Sequence, residues 1–269
     1  MWELRPGDPR EIGVHRVTRR LGGGAQGQVY LCTSPEGAPV AVKLLRPFDE
    51  PSSQERQAAA RRFADEYLYV RRVAPAGVVV PVLGTGRIGD RPYIVSEYVA
   101  GPSLREAVEA RGPVPPTALE RLAEGTLAAL AALHDAGVAH GDVAPGNVLM
   151  GPDGPRVTGY GLVRATAPED LRGWAETMVF ACTGAPDPEG VEDVPDPLYD
   201  LVLASLAADP SARPTARRAL DHLRGAAPVP AVPPEGDEGR DLLDWVIIML
   251  AGLAALLVTV LVLLLADPW

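Results

Sequence analysis

Three glycines near the start of the chain have the spacing of a polyphosphate-binding loop. Gly22, Gly24 and Gly27 are followed by Val29 in the pattern Gly-x-Gly-x-x-Gly-x-Val. Glycine has no Cβ atom, so backbone N–H groups at such positions can approach a polyphosphate without a side-chain clash. The same spacing opens dinucleotide-binding folds, but there it begins a helix. Here β-branched and aromatic residues follow, which favours a loop between two strands. A plain glycine-rich turn is the alternative from this motif alone.

Two further groups of residues have side chains suited to phosphate chemistry. Lys43 lies in the apolar run Pro39–Leu45, where it could contact phosphates or simply extend from a strand edge. Residues 140–147 read His-Gly-Asp-Val-Ala-Pro-Gly-Asn, with a carboxylate at Asp142 and an amide at Asn147. This segment is typical of a phosphoryl-transfer loop.

The elements that would carry these residues change in character near residue 100. Residues 12–46 and 78–99 are rich in β-branched residues, which predicts strands. Residues 52–73 contain no Gly or Pro, which predicts a helix between these two groups of strands. Beyond residue 100, the helical patterns begin at a predicted N-cap, Ser103, and cover residues 117–134, 168–185 and 198–224.

In this order, the motifs resemble those of the bacterial Hanks-type (eukaryotic-like) serine/threonine protein kinases, over residues 12–224. The resemblance implies an α+β, bilobal protein-kinase-like fold. Its β-rich N-lobe, with one helix, would span residues 12–99 after an N-terminal extension at 1–11. Its mainly helical C-lobe would span residues 100–225. Members of the family transfer the γ-phosphate of ATP to protein hydroxyl groups, so the resemblance also implies ATP as a ligand.

The resemblance further implies roles for residues at the phosphate end of the site. Together with the three glycines, Lys43 would contact the α- and β-phosphates and would pair with an acidic residue of the N-lobe helix. Glu66 is the expected partner, with Asp65 as its rival. Asp142 would accept the proton of the substrate hydroxyl, and Asn147 would bind a metal ion.

A second group of residues resembles the adenine end of the family's site. Tyr-Ile-Val-Ser-Glu-Tyr-Val at 93–99 is similar to the hinge between the lobes. By this match Ser96 is the gatekeeper, and backbone groups of Glu97 and Val99 would meet adenine. The residues expected to enclose the base are Val29, Ala41 and Leu149.

Three substitutions depart from the family pattern where its charged groups handle phosphate. Gly159, in Gly-Tyr-Gly, replaces the metal-binding Asp of Asp-Phe-Gly. Ala144 replaces a Lys that steadies the γ-phosphate, and Gly141 replaces an Arg that contacts a phosphorylated activation loop. The missing carboxylate at residue 159 argues against a complete Mg²⁺ site, because Asn147 is then the sole predicted metal ligand.

The segment that would dock a protein substrate is also short. Ala-Pro-Glu at 167–169 follows Gly161 by only a few residues, whereas the family's activation segment is several times longer. Asp170, which resembles the first residue of the family's next helix, comes directly afterwards. Because the two adjoin, Pro168-Glu169 is either a remnant of the family motif or a fortuitous match. Further on, Asp-Pro-Ser-Ala-Arg-Pro-Thr at 209–215 resembles the motif whose Arg, here Arg213, pairs with the Glu of Ala-Pro-Glu in the family.

Composition argues against some classes of function. The chain has 35 acidic and 25 basic residues, for a formal net charge of −10. Nucleic-acid-binding surfaces are basic, so no nucleic-acid partner is expected. The two cysteines, Cys32 and Cys182, lie far apart in the sequence, so neither a disulfide framework nor a cysteine metal cluster is expected.

The C-terminal part of the chain predicts a membrane anchor. The span at 244–266 has no charged residue after its first, and as a helix it would be roughly 33 Å long, enough to cross a bilayer. A buried core helix is the alternative. A Pro-rich acidic linker at 226–243 precedes the span, and a short tail at 267–269 follows it. Without an N-terminal signal peptide, this pattern predicts a single-pass, tail-anchored membrane protein with a cytoplasmic kinase-like domain.

Three functions fit these observations. The leading hypothesis is a membrane-anchored pseudokinase that binds ATP, has impaired catalysis and acts on an unknown protein partner as a scaffold or regulator. The second is an active serine/threonine kinase that uses Asp142 as its base and Asn147 as a lone metal ligand. The third is a small-molecule phosphotransferase on the same fold, since a short activation segment leaves an open face.

Overall fold

The computed structural model of the chain describes residues 1–50, 52–73, 77, 79–162, 165–185 and 188–225. In this range, no helix is long and apolar enough to cross a membrane. The predicted linker at 226–243, the predicted span at 244–266 and the tail at 267–269 lie outside the described residues. The side chains of Asp65 and Glu66 also lie outside them.

Six strands and one helix form the N-terminal half of the described chain. They are β1 (Glu11–Ile12), β2 (His15–Gly24), β3 (Gly27–Thr33), β4 (Pro39–Leu45), α1 (Ser53–Val73), β5 (Val82–Ile88) and β6 (Arg91–Glu97). The strands pair antiparallel in the order β1-β2-β3-β4-β6-β5, so β4 lies between β3 and β6. This half has the β-rich character and the single helix that the sequence predicts.

The side chains of β4 alternate between the two faces of the sheet. Three of its residues are buried in one apolar cluster with residues of β1, β2, β3 and β6: Val40, Val42 and Leu44. Successive side chains of a strand point to opposite faces, so Ala41 and Lys43 lie on the other face of the sheet. Antiparallel pairing places Lys43 directly opposite Val29 of β3.

The predicted N-terminal extension packs on this sheet. Trp2 and Arg20 exchange backbone hydrogen bonds of 2.9 and 3.0 Å, which adds the start of the chain to the edge of β2. Asp8 accepts a hydrogen bond of 2.9 Å from the Tyr30 hydroxyl and forms an ion pair of 3.2 Å with Arg20. Residues 1–10 are therefore tied to the strand that leads into the glycine motif.

Five helices and a two-stranded sheet form the C-terminal half of the described chain. They are α2 (Leu104–Arg111), α3 (Pro116–Asp135), β7 (Val148–Gly151), β8 (Gly154–Val157), α4 (Ala167–Thr183), α5 (Tyr199–Ser205) and α6 (Ala216–Leu223). The core of this half lies between α3 and α4, where the buried Trp174 donates its indole N–H to Thr126 Oγ1 at 3.0 Å. The predicted α+β fold with a β-rich lobe and a helical lobe is confirmed.

The ends of the helices follow from particular residues. Ser103 is the N-cap of α2, as predicted, and forms a reciprocal capping box with Glu106. The predicted helical stretch at 198–224 is interrupted between α5 and α6. Pro210 has no N–H to continue a helix, and Asp209 caps a separate short 3₁₀ turn at Pro210–Ala212.

Candidate functional site

The glycine motif forms a β-hairpin, as predicted. Gly24 at the end of β2 pairs with Gly27 at the start of β3, and a two-residue turn that contains Gln26 joins them. A Cβ atom on Gly27 would lie 2.3 Å from the carbonyl oxygen of Leu44, which is closer than atoms can approach. Glycine at this position therefore lets the hairpin lie directly against β4, the strand that carries Lys43.

Gln26 links the hairpin to both charged residues of the cleft. Lys43 Nζ donates a hydrogen bond to Gln26 Oε1, and Gln26 Nε2 donates one of 3.1 Å to Asp142 Oδ2. The structure thus brings together three parts of the predicted site: the glycine motif, the strand lysine and the carboxylate of the 140–147 loop. Sequence reasoning missed Gln26, because the motif leaves its position open and Asp142 lies 116 residues away.

The ammonium group of Lys43 is partly withdrawn from water. Burial lowers the pKa of Lys43 from its usual value, while the negative charge of Asp142 acts in the opposite direction. Glu66, the predicted partner of Lys43, belongs to α1. Because its side chain lies outside the described residues, the pairing stays a prediction, as does the rival pairing with Asp65.

His140 shapes the loop that carries Asp142. The backbone N–H of Asp142 donates to His140 Nδ1 at 3.1 Å, so Nδ1 acts as an acceptor. The ring proton must then lie on Nε2, which donates to the carbonyl oxygen of Thr158 at 3.1 Å. The imidazole is completely buried, and this burial lowers the pKa of His140, which favours the neutral ring.

Asp170, in the first turn of α4, fixes the backbone of the same loop. Its carboxylate is buried, accepts the N–H of His140 at 2.6 Å on Oδ2 and accepts the N–H of Gly141 at 2.8 Å on Oδ1. His134 Nε2 of α3 lies 2.8 Å from Oδ2. The sequence predicts a helix that begins near Asp170, but the contacts with the loop become visible only in the structure.

Asn147 lies beside Asp142 and joins it to Gly159. Its Nδ2 donates to the backbone oxygen of Asp142 at 2.7 Å and to Oδ2 at 3.0 Å. Its backbone oxygen accepts the N–H of Thr158 at 2.9 Å, which holds the next segment close. A Cβ atom on Gly159 would lie 3.2 Å from Asn147 Oδ1, so the two positions that the resemblance assigns to metal binding are neighbours.

The residues present do not fit the magnesium site that the resemblance implies. Mg²⁺ in nucleotide sites is usually held by one or two carboxylates together with phosphate oxygens. Gly159 supplies no oxygen from a side chain, although it stands next to Asn147 Oδ1.

Tyr160 connects the segment after β8 to the N-terminal half of the described chain. Its side chain is buried, and its hydroxyl donates to the carbonyl oxygen of Val80 at 2.9 Å. The hydroxyl of Tyr67, on α1, donates to the carbonyl oxygen of Tyr160 at 2.7 Å. This pair of tyrosines therefore joins the N-lobe helix to the Gly-Tyr-Gly segment.

A cavity of about 280 Å³ opens beside Asp142. It is lined by residues 141–143 and by Ala165, Glu169, Asp170, Arg172, Gly173 and Glu176. Residues 162–166 separate Gly161 from the start of α4 at Ala167.

Arg213 and Glu169, the two residues that the family motif would pair, make their hydrogen bonds to other groups. Arg213 donates to backbone oxygens of Pro168 at 3.0 Å and Ala207 at 2.9 Å. Glu169 instead caps α4, where its carboxylate accepts the N–H of Thr166 at 2.7 Å. The reason is local: Glu169 lies in the first helical turn, where the N-cap residue captures an acidic side chain.

The predicted adenine residues lie around the end of β6. Ser96 is paired with Ala41 of β4, and its Oγ donates a long hydrogen bond of 3.4 Å to the Ala41 carbonyl oxygen. Glu97 ends β6, and its carboxylate forms an ion pair of 3.0 Å with Arg156 of β8. Val99 is buried in the connection that follows.

The two remaining predicted base contacts come from opposite sides of this region. Val29 belongs to the hairpin strand β3, and Leu149 belongs to β7. Leu149 forms a β-bridge with Ser103, at the start of α2, which brings β7 close to the end of the predicted hinge. The adenine roles of these residues stay predictions.

The hairpin, the strand lysine and the 140–147 loop occur together in one known family. The family model described as "Protein kinase domain" matches residues 15–183, from the start of β2 to the end of α4. This chain belongs to the protein kinase family. The matched range includes every residue that the resemblance places in the nucleotide site.

Relatives of this kinase-family chain are bacterial serine/threonine kinases. It is 33% identical to "Probable serine/threonine-protein kinase PkwA" of Thermomonospora curvata, over 82% of this chain and 35% of PkwA. It is 31% identical to "Serine/threonine-protein kinase AfsK" of Streptomyces griseus, over 79% of this chain and 32% of AfsK. The chain thus spans about a third of the length of these relatives. They support the predicted membership of the bacterial Hanks-type group.

A solved structure supports the fold. The crystal structure of a point mutant of the Mycobacterium tuberculosis PknI kinase domain is similar with a TM-score of 0.63 at 23% sequence identity. The similarity covers 80% of this chain and 96% of the PknI chain. It therefore shows a bilobal kinase fold for most of this kinase-family chain.

Proposed function

We propose that this kinase-family chain is a membrane-anchored pseudokinase that binds ATP, has lost most phosphotransfer activity and regulates a protein partner. The observation that carries the proposal is the junction of Gly159 and Asn147. There, a Cβ atom would lie 3.2 Å from Asn147 Oδ1, yet residue 159 is a glycine and supplies no carboxylate for a divalent cation.

Nucleotide binding is supported by the upper part of the cleft. The hairpin lies against β4 because Gly27 has no side chain, and Lys43 reaches the same space. A half-buried ammonium group beside backbone N–H groups of a glycine loop is well placed to attract a polyphosphate. Adenine would meet the backbone of Glu97 and Val99 at the end of β6.

Impaired catalysis is supported by the lower part of the cleft. Gly159 and Ala144 remove an anionic metal ligand and a cation that would act on the transferring phosphoryl group. Preorganised charges of this kind usually supply much of the rate, and the loss of one such group costs on the order of 10² to 10³ in kcat. The five residues between Gly161 and α4 also leave little chain to dock a protein substrate.

Membrane anchoring is supported by the sequence at 245–266, which is uncharged and long enough to cross a bilayer as a helix. The linker before it would separate the kinase-like domain from the membrane surface. In this arrangement the anchor concentrates the domain near a membrane-bound partner.

Residual phosphotransfer is the second candidate function, and one observation favours it. Asp142 and Asn147 keep a direct hydrogen bond of 3.0 Å, and the cavity beside Asp142 is open to an acceptor. The acceptor could be a protein hydroxyl, as in an active serine/threonine kinase, or a small molecule that fits the cavity.

Radiolabel transfer from ATP by the full-length chain in detergent separates these candidates. We expect incorporation into protein and small-molecule acceptors to equal that of Asp142→Ala, because the cleft lacks two of its charged groups. The control is Asp153→Ala, a change in the exposed turn between β7 and β8. Incorporation that exceeds the Asp142→Ala background, and that Asp153→Ala retains, would overturn the pseudokinase proposal.

A further inference from the structure

Two backbone contacts with β4 and the residue after it fix the turn of the glycine hairpin over the cleft. The backbone oxygen of Gln26 accepts the N–H of Arg46 at 2.9 Å, just beyond β4. Gly27 lies so close to β4 that a Cβ atom would be 2.3 Å from the Leu44 carbonyl oxygen. The position of Gln26 is thus fixed by backbone contacts, and its side chain projects into the cleft.

The side chain of Gln26 satisfies two opposite charges at once. Its amide oxygen accepts from the Lys43 ammonium group, and its amide nitrogen donates to Asp142 Oδ2 at 3.1 Å. A carboxamide is suited to this place because one end accepts and the other donates. A hydrocarbon side chain could satisfy neither Lys43 nor Asp142.

The space between Lys43 and Asp142 is the space that phosphates would need. The lysine would contact the α- and β-phosphates, and the γ-phosphate would point towards the loop of Asp142. Lys43 has three N–H donors, so the conflict is one of space: a phosphate placed between Lys43 and Asp142 would have to displace the carboxamide that bridges them. A nucleoside without phosphates would leave the bridge untouched.

We propose that Gln26 determines which adenine ligands the cleft prefers, because its carboxamide occupies the space between Lys43 and Asp142 that the triphosphate would need. This inference rests on the proposed function, in that it requires adenine ligands to bind the cleft. Gln26 thereby weakens the binding of ATP and leaves the binding of adenosine unchanged. Adenosine and ATP should then bind this protein with more similar affinity than they would without the bridge.

Calorimetric titration of the full-length chain in detergent with ATP and with adenosine tests the inference. The variant is Gln26→Ala, and the matched control is Gln54→Ala, an exposed position in the first turn of α1. Hydrogen bonds to charged groups hold the bridge, so we expect its removal to lower the Kd for ATP roughly tenfold. The Kd for adenosine should stay within about twofold in both variants, which also shows that Gln26→Ala is folded.

Three other outcomes would overturn the inference, and one of them would also overturn the proposed nucleotide binding. An ATP affinity that is unchanged or weaker in Gln26→Ala, with adenosine unchanged, would overturn the competition and leave nucleotide binding standing. An equal change for both ligands would also overturn it, since the effect would then not be at the phosphates. If neither ligand bound wild type or variant, the proposed nucleotide binding itself would fail, and the inference with it.

Discussion

Asp170 shows how far the geometry of the cleft depends on one buried carboxylate. It accepts the backbone N–H groups of His140 and Gly141, the two residues before Asp142. The orientation of Asp142 towards Gln26 and Asn147 follows from this constraint. At the residue scale, one carboxylate, Asp170, fixes the backbone of the loop, and the other, Asp142, faces the cleft.

Replacing Asp170 by Asn should lower the free energy of unfolding. The amide keeps the size of the side chain but brings an N–H group against the N–H of His140 or Gly141. Hydrogen bonds to charged groups contribute about 1.5–3 kcal/mol each, so we expect a loss of about 3 kcal/mol. Urea unfolding of the full-length chain measures it, with Asp153→Asn as an exposed control that should change stability by less than about 0.5 kcal/mol. An equally small loss in Asp170→Asn would contradict this account.

Residue type and spacing identify part of the cleft and leave another part hidden. Lys43, Asp142 and Asn147 can be found in the sequence, because each lies in a short motif of fixed spacing. Gln26 cannot, because its role depends on a turn that folds across the cleft to a residue 116 positions away. The family motif would pair Arg213 with Glu169, but Glu169 caps α4 and Arg213 donates to the carbonyl oxygen of Pro168 instead.

At the element scale, α1 is coupled to the segment after β8. Tyr67 projects from α1 into a buried cluster that also contains Tyr160, and its hydroxyl reaches the Tyr160 carbonyl oxygen at 2.7 Å. The Gly-Tyr-Gly segment is therefore anchored from the N-lobe, although the activation segment that normally follows it is short.

Removing the Tyr67 hydroxyl should weaken this coupling. In Tyr67→Phe the ring still fills the cluster, but the buried carbonyl oxygen of Tyr160 loses its partner, which should cost about 1–2 kcal/mol of unfolding free energy. The control is Tyr199→Phe, whose hydroxyl makes no hydrogen bond to the described residues. Equal stability of Tyr67→Phe and Tyr199→Phe in urea unfolding would show that the contact contributes nothing.

Periodicity predicts long elements better than interrupted ones. The helix predicted at 117–134 is observed as Pro116–Asp135, because its apolar pattern continues without a break. The stretch at 198–224 contains Pro210 and is observed as two helices separated by a 3₁₀ turn. The local signal for this break is Asp209-Pro210, which the apolar periodicity alone does not register.

At the scale of the whole molecule, the proposal combines a kinase fold, an incomplete cation site and a predicted membrane anchor. The fold and the family follow from several different sequence motifs, which occur along the chain in the order of the family. The anchor is predicted from a single uncharged run, and the protein partner cannot be deduced from the sequence. The central claim is that the nucleotide cleft works without the acidic residue that would bind a divalent cation.

The most direct test is the Kd for ATP of the full-length chain, measured by calorimetry in Mg²⁺ and in EDTA. Gly159→Asp restores the carboxylate at a backbone φ of +82°, which Asp tolerates better than most residues, and Gly159→Asn is the uncharged control of the same shape. Our account predicts wild-type and Gly159→Asn affinities that agree within about twofold between the two conditions, and at least roughly tenfold tighter binding in Mg²⁺ for Gly159→Asp. If the wild type bound ATP at least roughly tenfold more tightly in Mg²⁺ than in EDTA, this result would contradict our account.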